Sequence, residues 1–390
     1  MRLSFSEVDE AFRRELTSWL EANPPPVAEE AAEPTRSSAD MPGWARRWQR
    51  QLFDAGWLVP GWPPERGGRN ATATQQMIYF DEFSRRQIRR STNPQGLSIV
   101  TPSIVDYGSP EQQERFALPT LRAEISWCLG MSEPGAGSDL ASLLTRAVRD
   151  GDRFIVNGQK VWTSGAQHAD WCLCFARTDP DAPKHKGISA LIMDMRSPGI
   201  DIRPLPELTD RDYADFNEVF LTDVAVPAEN LLGELNQGWP LTMGSLAHER
   251  AMLWIDYAYD LSRVVDKLVA LGKARGADSR FRDLVAAAYI DAQALQFIGY
   301  RGFAKLAQGR DAPEHSLLKL FGSEAIQRAL LLGAEEVGAD AAALDDDGPF
   351  VWREGSWLTQ YLRSFAATIP GGTSEIQRNI IAERVLGLPR

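Results

Sequence analysis

A loop of small residues near the middle of the chain has the composition of a ligand-binding loop. It runs from Ser132 to Asp139 and reads SEPGAGSD. Its two glycines let a ligand approach the backbone closely, and its N–H and hydroxyl groups suit a phosphate or a flat polar ring. An ordinary surface turn has the same composition, so the loop alone leaves both interpretations open.

A second group of chemically useful residues follows this loop at close range. The segment KVWTS offers an aromatic plane, Trp162, and a hydroxyl group, Ser164. The preceding Asn157-Gly158 pair predicts a hairpin over residues 154–164 with its turn at this pair, because both residues tolerate the positive φ of a type I′ turn. Loop and hairpin together favour a ligand site, although a plain turn and a core aromatic are the structural alternatives.

A carboxylate on a predicted helix has the surroundings that a catalytic base needs. Glu249 lies three residues after Leu246 and four before Leu253, which places it on an apolar helical stripe. Burial there would disfavour the charged form, and the pKa should rise toward the range useful for proton abstraction. An ion pair with Arg250 or with a neighbouring helix is the structural alternative.

The composition limits the classes of function. The chain has 390 residues, 44% of them hydrophobic, and no apolar run long enough to span a bilayer. Its formal charge of −11 disfavours non-specific binding to nucleic acid. The first twenty residues mix acids with bases and show no apolar targeting segment, so a cytoplasmic location is expected.

The cysteines and histidines have no metal-site spacing. The three cysteines, Cys128, Cys172 and Cys174, are predicted to be free buried thiols, and the four histidines are scattered. The chain has one obvious basic cluster, which consists of Arg85, Arg86, Arg89 and Arg90. We predict that these residues form a solvated helix face, and a site for an anionic ligand is the alternative.

The hydrophobic pattern divides the chain into three parts. Up to about residue 122 apolar residues recur every three or four positions, as in Val8, Phe12, Leu16 and Leu20, and further helices are predicted at residues 44–55, 74–90 and 110–122. From residue 126 to about 232 the period becomes two, with strands near residues 171–176, 188–195 and 219–226. Long helical segments return at residues 239–272, 279–308, 316–338 and 373–386, lengths that suit a helical bundle.

Helices, then a β domain, then a helical bundle is the arrangement of the acyl-CoA dehydrogenases, which this sequence resembles over almost its whole length. The resemblance rests on WCLGMSEPGAGSD, on KVWTS and on the ending PGGTSEIQRN. It implies an α+β fold with an N-terminal helical domain over residues 1–122, a middle antiparallel β-barrel domain over residues 123–233 and a C-terminal four-helix bundle over residues 234–390.

The resemblance implies FAD-dependent α,β-dehydrogenation of an acyl-CoA thioester, in which a base takes the α proton and flavin N5 takes the β hydride. An electron-transfer flavoprotein is the expected electron acceptor, and an acyl group on a carrier protein is equally compatible. The substrate is assigned to Ser138, Arg250 and Gly371. The residues assigned to FAD are Leu129, Met131, Ser132, Gly137, Ser138, Trp162, Ser164, Thr373 and Glu375.

The resemblance also bears on the base. Many family members carry a glutamate immediately before the Gly-Thr of the carboxy-terminal motif, where this chain has Gly371. Others, such as those like isovaleryl-CoA dehydrogenase, carry it on the long helix after the β domain, in a Glu-Arg pair that corresponds to Glu249 and Arg250. Glu249 is therefore the expected base, and Glu375 is the alternative.

Two family motifs that complete a neighbouring subunit's flavin site are degraded. Arg275 lacks the Phe-Gly that should follow it, and Glu335, Glu336 and Ala339 stand where an amide and glycine are expected. An acidic pair would repel a pyrophosphate, so a mixed tetramer with a related subunit that keeps these motifs is expected.

This arrangement resembles the two-gene enzymes of actinobacterial steroid side-chain degradation, and it implies a branched or bulky acyl chain, such as a steroid side chain. Two alternatives stay open. One is a flavin-dependent oxidase or monooxygenase on the same fold, and the other is a non-catalytic structural subunit of a heteromeric dehydrogenase.

Overall fold

A computed structural model describes residues 5–209, 214–306, 314–342 and 356–389, with the single residues 308, 310 and 312; the side chains of residues 244–253, 306, 314–316 and 342 lie outside this description. The chain forms two compact units. The first unit comprises Met1–Tyr79 and Ile88–Glu249, and the second comprises Phe80–Gln87 and Arg250–Arg390. The predicted domain boundaries after residues 122 and 233 stay a prediction.

Helices precede the sheet, as the apolar spacing predicts. They are α1 (Glu7–Ala22), α2 (Val27–Ala32), α3 (Gly43–Asp54), α4 (Ala73–Arg85), α5 (Thr101–Tyr107), α6 (Pro110–Gln112) and α7 (Leu118–Leu121). A capping box begins α1, because the Ser6 hydroxyl accepts from the Asp9 N–H at 3.2 Å and the Asp9 carboxylate accepts from the Ser6 N–H at 3.3 Å. Of the predicted stripe, Val8 is exposed, and Phe12, Leu16 and Leu20 are buried.

The predicted end of the third helix is wrong. Helix α4 ends at Arg85, and Gln87 has a φ of +55°, which an α-helix does not accommodate. Arg89 and Arg90 therefore do not continue a solvated helix face.

The arginines of this cluster have partners of their own. In the second unit, Arg85 and Arg86 both pair with the buried carboxylate of Glu82, the latter at 3.3 Å. In the first unit, Arg89 lies 3.7 Å from Glu30. Internal ion pairing accounts for these three bases.

A sheet follows the helices of the first unit. Its strands are β1 (Trp127–Gly130), β2 (Arg146–Asp150), β3 (Arg153–Lys160), β4 (Trp171–Arg177), β5 (Ile188–Asp194), β6 (Ile200–Pro204), β7 (Asn217–Pro227) and β8 (Leu231–Leu232). They pair in the order β6-β7-β3-β2-β4-β5-β8, with β1 on β4. Most pairs are antiparallel as predicted, but β1 is parallel to β4, and β2 meets β4 in parallel at a single position. The long connection from β1 to β4 makes a parallel crossover possible.

Strand β4 is buried on both faces, which explains its continuous apolar composition. Cys172, Cys174 and Ala176 lie in one core, and Leu173 and Phe175 lie in the other. The three cysteines are free and buried, as predicted. Hydrogen bonds among these thiols and their burial raise the pKa of Cys172 and Cys174, so both thiols stay neutral.

The predicted hairpin turn at Asn157-Gly158 is wrong. Both residues lie inside β3, and the hairpin of β2 and β3 turns instead at Gly151, whose φ is +62°. The pairing of β3 with β7 shifts register between Val156 and Gly158, where Gly158 has a φ of +155°. The pair therefore marks a β-bulge, which uses the same backbone freedom as a turn.

The second unit contains a helical bundle, as predicted. Its helices are α8 (Gly238–Arg275), which begins in the first unit, and α9 (Ser279–Leu306), α10 (Glu314–Val337), α11 (Trp357–Ala367) and α12 (Ser374–Ile380). Residues of α8, α9, α10 and α11 share one apolar core, which includes Leu268, Phe281, Leu330 and Trp357. Helix α11 was not predicted from the sequence.

A buried ion pair joins the loop after β1 to the end of β3. The Lys160 ammonium donates to Glu133 Oε1 at 2.8 Å and to the Met131 carbonyl at 3.1 Å, and only 1% of the Lys160 side chain and 7% of the Glu133 side chain are exposed. The Glu133 carboxylate also accepts from the N–H groups of Leu144 and Thr145, at 2.6 Å and 2.9 Å. Burial alone would raise the pKa of Glu133, but Lys160 and these hydrogen bonds hold it below its usual range.

We expect Gly158→Ala to lower the free energy of unfolding by about 1–3 kcal/mol, because the new Cβ would lie 2.7 Å from Thr145 Cα. Urea denaturation measures the loss. Gly135→Ala is the matched control, since a Cβ at Gly135 meets no atom within 4 Å. Equal unfolding midpoints for the two variants would contradict the tight packing at the bulge.

We expect Lys160→Met to destabilise the protein by about 3–5 kcal/mol at neutral pH, because it leaves the Glu133 carboxylate buried without its cation. The lowered pKa of Glu133 makes the pair's contribution fully present above its unfolded pKa and lost as the pH falls through its folded pKa. The difference between variant and wild type should therefore be fully present at pH 7 and should shrink only as the pH falls below about 4.5, the ordinary pKa of a glutamate, in denaturant titrations.

Lys184→Met is the control for this variant. It removes the ion pair in which the Lys184 ammonium lies 2.9 Å from the Asp139 carboxylate, in the same loop. Both side chains of this pair are more than half exposed. We expect little change, since solvent screens such pairs. Similar losses for both variants would show that burial of the Lys160 pair has no special weight.

Candidate active site

The loop after β1 presents an open surface around two glycines. Glu133 and Ala136 exchange both backbone hydrogen bonds at 3.0 Å, which closes a tight turn over Pro134 and Gly135. A Cβ at Gly135 or Gly137 would meet no atom within 4 Å. Of the residues predicted to bind FAD here, Leu129, Met131 and Ser132 are half-buried, and Gly137 and Ser138 are exposed. The loop is closed by backbone hydrogen bonds at its base and is open at its tip.

Trp162 lies beside this loop in an unusual conformation. The Val161 N–H donates to the Ser132 carbonyl at 3.0 Å, which holds the end of β3 against the loop. Trp162 follows with a φ of +59°, and the residue is 61% exposed. A bulky residue in the left-handed region is an outlier that persists only where its surroundings enforce it.

The hydroxyl groups after Trp162 differ in environment. Ser164, a predicted FAD contact, is half-buried. Thr163 is buried, and its hydroxyl has no hydrogen-bond partner among the residues that the structure describes. Thr163 was not among the predicted site residues, although its position between Trp162 and Ser164 could have indicated it.

In the second unit, the carboxy-terminal motif forms a glycine turn at the start of α12. Gly371 and Gly372 have φ values of +67° and +97°. The Gln377 side chain donates to the Gly371 carbonyl at 2.9 Å, and the Lys319 ammonium donates to the Gly372 carbonyl at 2.7 Å. Thr373 is the N-cap of α12, since its hydroxyl accepts from the Ile376 N–H at 3.3 Å.

Glu375 is exposed in the first turn of α12, so its surroundings do not favour a base. Its own backbone N–H and the Thr373 hydroxyl hold the pKa of the carboxyl below its usual range. A carboxylate with a lowered pKa binds a proton weakly. This weakens the alternative in which Glu375 abstracts the substrate proton.

The predicted base and its neighbour lie on α8. Glu249 and Arg250 belong to this helix, but their side chains lie outside the described residues. Their assigned roles stay predictions. The predicted FAD contacts fall into two groups, residues 129–164 in the first unit and residues 373–375 in the second.

The degraded motifs lie in the second unit. The Arg275 guanidinium donates to the Glu336 carbonyl at 2.8 Å and to Asp340 at 3.4 Å. Glu335 and Ala339 are exposed. Arg275 therefore has partners in its own chain, at an acidic segment.

Two further properties concern membranes and metals. Over the described ranges, no helix has both the length and the apolarity of a membrane span. The same residues contain no group of three or more His, Cys, Asp or Glu side chains that could hold a metal ion.

Comparisons with known proteins cover almost the whole chain. It matches the acyl-CoA dehydrogenase N-terminal domain over residues 6–124, the middle domain over 128–224 and the C-terminal domain over 236–386. The acyl-CoA dehydrogenase IpdE1 of Mycobacterium tuberculosis is 36% identical over 351 residues, 88% of each chain.

Two solved structures are also similar over their full lengths. The Tcur3481-Tcur3483 steroid ACAD has a TM-score of 0.83 and 29% identity, with 100% of both chains covered. The ChsE4-ChsE5 complex from Mycobacterium tuberculosis has a TM-score of 0.82 and 32% identity, again over 100% of both chains. The chain therefore belongs to the acyl-CoA dehydrogenase family, and it is an oxidoreductase that acts on the CH–CH group of acyl-CoA.

Proposed function

We propose that this chain binds FAD and dehydrogenates a bulky acyl-CoA thioester in the cytoplasm. The observation that carries the proposal is Trp162, which is strained in its backbone yet exposed in its ring. Strain of about 1–3 kcal/mol at one residue is typical of functional sites. An exposed indole beside an open loop suits a planar ligand.

The residues present fit a flavin. Gly135 and Gly137 leave open space along the loop, and Trp162 offers an aromatic face. The Thr163 hydroxyl is buried without a partner in the described part of the chain. Bound FAD would accept the β hydrogen as hydride. We assign its binding to Leu129, Met131, Ser132, Gly137, Ser138, Trp162, Ser164, Thr373 and Glu375.

We assign the α-proton abstraction to Glu249. Gly371 stands at the other family position for the base and has no side chain to abstract a proton. Glu375, the remaining candidate, is exposed and has a lowered pKa. The apolar spacing around Glu249 predicts the opposite shift, which suits a base that works near neutral pH. Ser138, Arg250 and Gly371 are assigned to the substrate.

We propose a steroid side-chain thioester as the substrate and an electron-transfer flavoprotein as the acceptor. Support for the substrate class comes from the relatives, since one of the similar structures is described as a steroid ACAD. By the family resemblance, a base on the long helix goes with a branched or bulky acyl chain.

We further propose a mixed tetramer with a related subunit. Both similar structures reported above carry two chain names, Tcur3481-Tcur3483 and ChsE4-ChsE5. In this chain the Arg275 guanidinium is held by the Glu336 backbone carbonyl and by the Asp340 carboxylate, and the neighbouring Glu335 is exposed. This acidic surface would repel a pyrophosphate, so the partner subunit would have to supply that part of the flavin site.

We expect Glu249→Gln to keep bound flavin but to lose turnover by several orders of magnitude, because general-base catalysis alone contributes about 10²–10⁴-fold. Stopped-flow reduction of the flavin by a steroid side-chain acyl-CoA measures the effect on proton and hydride removal. Turnover is then measured with electron-transfer flavoprotein.

Two further variants are compared with Glu249→Gln. Asp291→Asn is the control, because Asp291 is another carboxylate on a helix of the second unit and accepts a hydrogen bond from Arg328 at 3.0 Å. This substitution should leave flavin reduction nearly unchanged. Glu375→Gln tests the alternative base. Near-full reduction rates in Glu249→Gln, with loss in Glu375→Gln, would overturn the assignment.

The flavin-to-protein ratio and native mass should depend on a partner. We expect the chain expressed alone to carry little FAD, and co-expression with an adjacent paralogue to give a yellow mixed tetramer. Mass spectrometry of the intact complex and the visible spectrum measure both. A yellow homotetramer would refute the mixed assembly. A colourless complex would indicate a non-catalytic structural subunit. Rapid reoxidation of the reduced flavin by air would indicate an oxidase or monooxygenase.

A further inference from the structure

We propose that Asn217 is a positioning residue, which holds Trp162 in the conformation that presents its ring to the flavin. The proposal takes its ligand from the proposed function, but its geometry stands on the first unit alone. Asn217 begins β7, far from Trp162 in sequence, and no part of its side chain is exposed.

The Asn217 amide bridges the turn that follows Trp162. The two N–H bonds of its Nδ2 group are shared among three acceptors, the Thr163 carbonyl at 3.0 Å, Gln167 Oε1 at 2.5 Å and the Asp215 carbonyl at 3.0 Å. Its backbone carbonyl accepts from the Thr163 N–H at 3.1 Å. Because the Thr163 and Asp215 carbonyls can only accept, the NH₂ group must face them, and the amide has one allowed orientation.

Backbone hydrogen bonds fix the chain on both sides of Trp162. Val161, just before it, donates to the Ser132 carbonyl at 3.0 Å. Thr163, just after it, is held through both its N–H and its carbonyl by Asn217. Gly165 then donates to the Asp215 carbonyl at 2.7 Å. With both neighbours fixed, Trp162 cannot relax to a negative φ without breaking several buried hydrogen bonds.

The residue before Asn217 positions the indole ring. Phe216 meets Trp162 edge to face, with ring centroids 5.8 Å apart and an interplanar angle of 86°. Side chains alternate in direction along a strand, so Phe216 can reach the ring while Asn217 reaches the backbone. The two adjacent residues therefore set both the φ of Trp162 and the direction of its ring.

Asn217→Ala and Asn217→Asp test this role in the full chain, with the paralogous subunit where flavin binding requires it. Alanine removes the donor, and aspartate places a carboxylate against three acceptors. Asn230→Ala is the matched control, since Asn230 is also a buried amide of the first unit, donating to the Ile192 carbonyl at 2.8 Å. Its loss should lower stability without touching the Trp162 turn.

Two readouts separate positioning from stability. In the flavin-free protein, hydrogen exchange over residues 160–168 should quicken at least tenfold in both Asn217 variants and not in Asn230→Ala. Titration of the same apoproteins with FAD should show a Kd about tenfold higher for the Asn217 variants, as expected for loss of a few hydrogen bonds. The visible circular dichroism of the bound flavin should change with it.

The proposal is overturned if Asn217→Ala exchanges like wild type over residues 160–168, or if Asn230→Ala raises the Kd for FAD equally. If Asn217→Ala does not fold, Gln167→Ala removes one acceptor of the same amide and must still quicken exchange in this segment. Failure of the wild-type complex to bind FAD would refute the proposed function instead, and the exchange experiment would still decide the role of Asn217.

Discussion

The structure around the candidate site depends on one electrostatic constraint, the burial of Glu133 and Lys160. Neither charge can be solvated, so each must be compensated by the other and by hydrogen bonds, at a distance of 2.8 Å. Lys160 also binds the Met131 carbonyl, and Val161 binds the Ser132 carbonyl. The beginning of the glycine loop and the end of β3 are therefore joined at three points, and Trp162 must leave the strand beside the loop.

The strain at Trp162 follows from this arrangement. A tryptophan with a φ of +59° is unfavourable by itself, and it persists because the ion pair fixes the chain before it and Asn217 fixes the chain after it. The residues that fix the chain lie on different strands, Lys160 at the end of β3 and Asn217 at the start of β7. Loss of either would allow the backbone to relax, so the exposed ring depends on long-range contacts and not on its local sequence.

This dependence explains how much the sequence could predict. The order of helices, sheet and bundle follows from hydrophobic periodicity, which is a local property of the chain, and it is confirmed. Asn157-Gly158 has the freedom of a turn, but whether it forms a turn or a bulge depends on pairing with β7, distant in sequence. The ion pair joins residues 27 positions apart, and its burial depends on how β1, β3 and β4 pack, so no local pattern indicates it.

The conformation of the carboxy-terminal turn bears on the location of the base. Gly371 has a φ of +67°, held by Gln377 at its carbonyl and by Lys319 at the next carbonyl. A glutamate at this position would carry about 1–2 kcal/mol of backbone strain. The turn therefore favours glycine at this position through its backbone conformation and not through crowding, since a Cβ at Gly371 would meet no atom within 4 Å. Such a turn is consistent with a base that comes from another element, as Glu249 on α8 would.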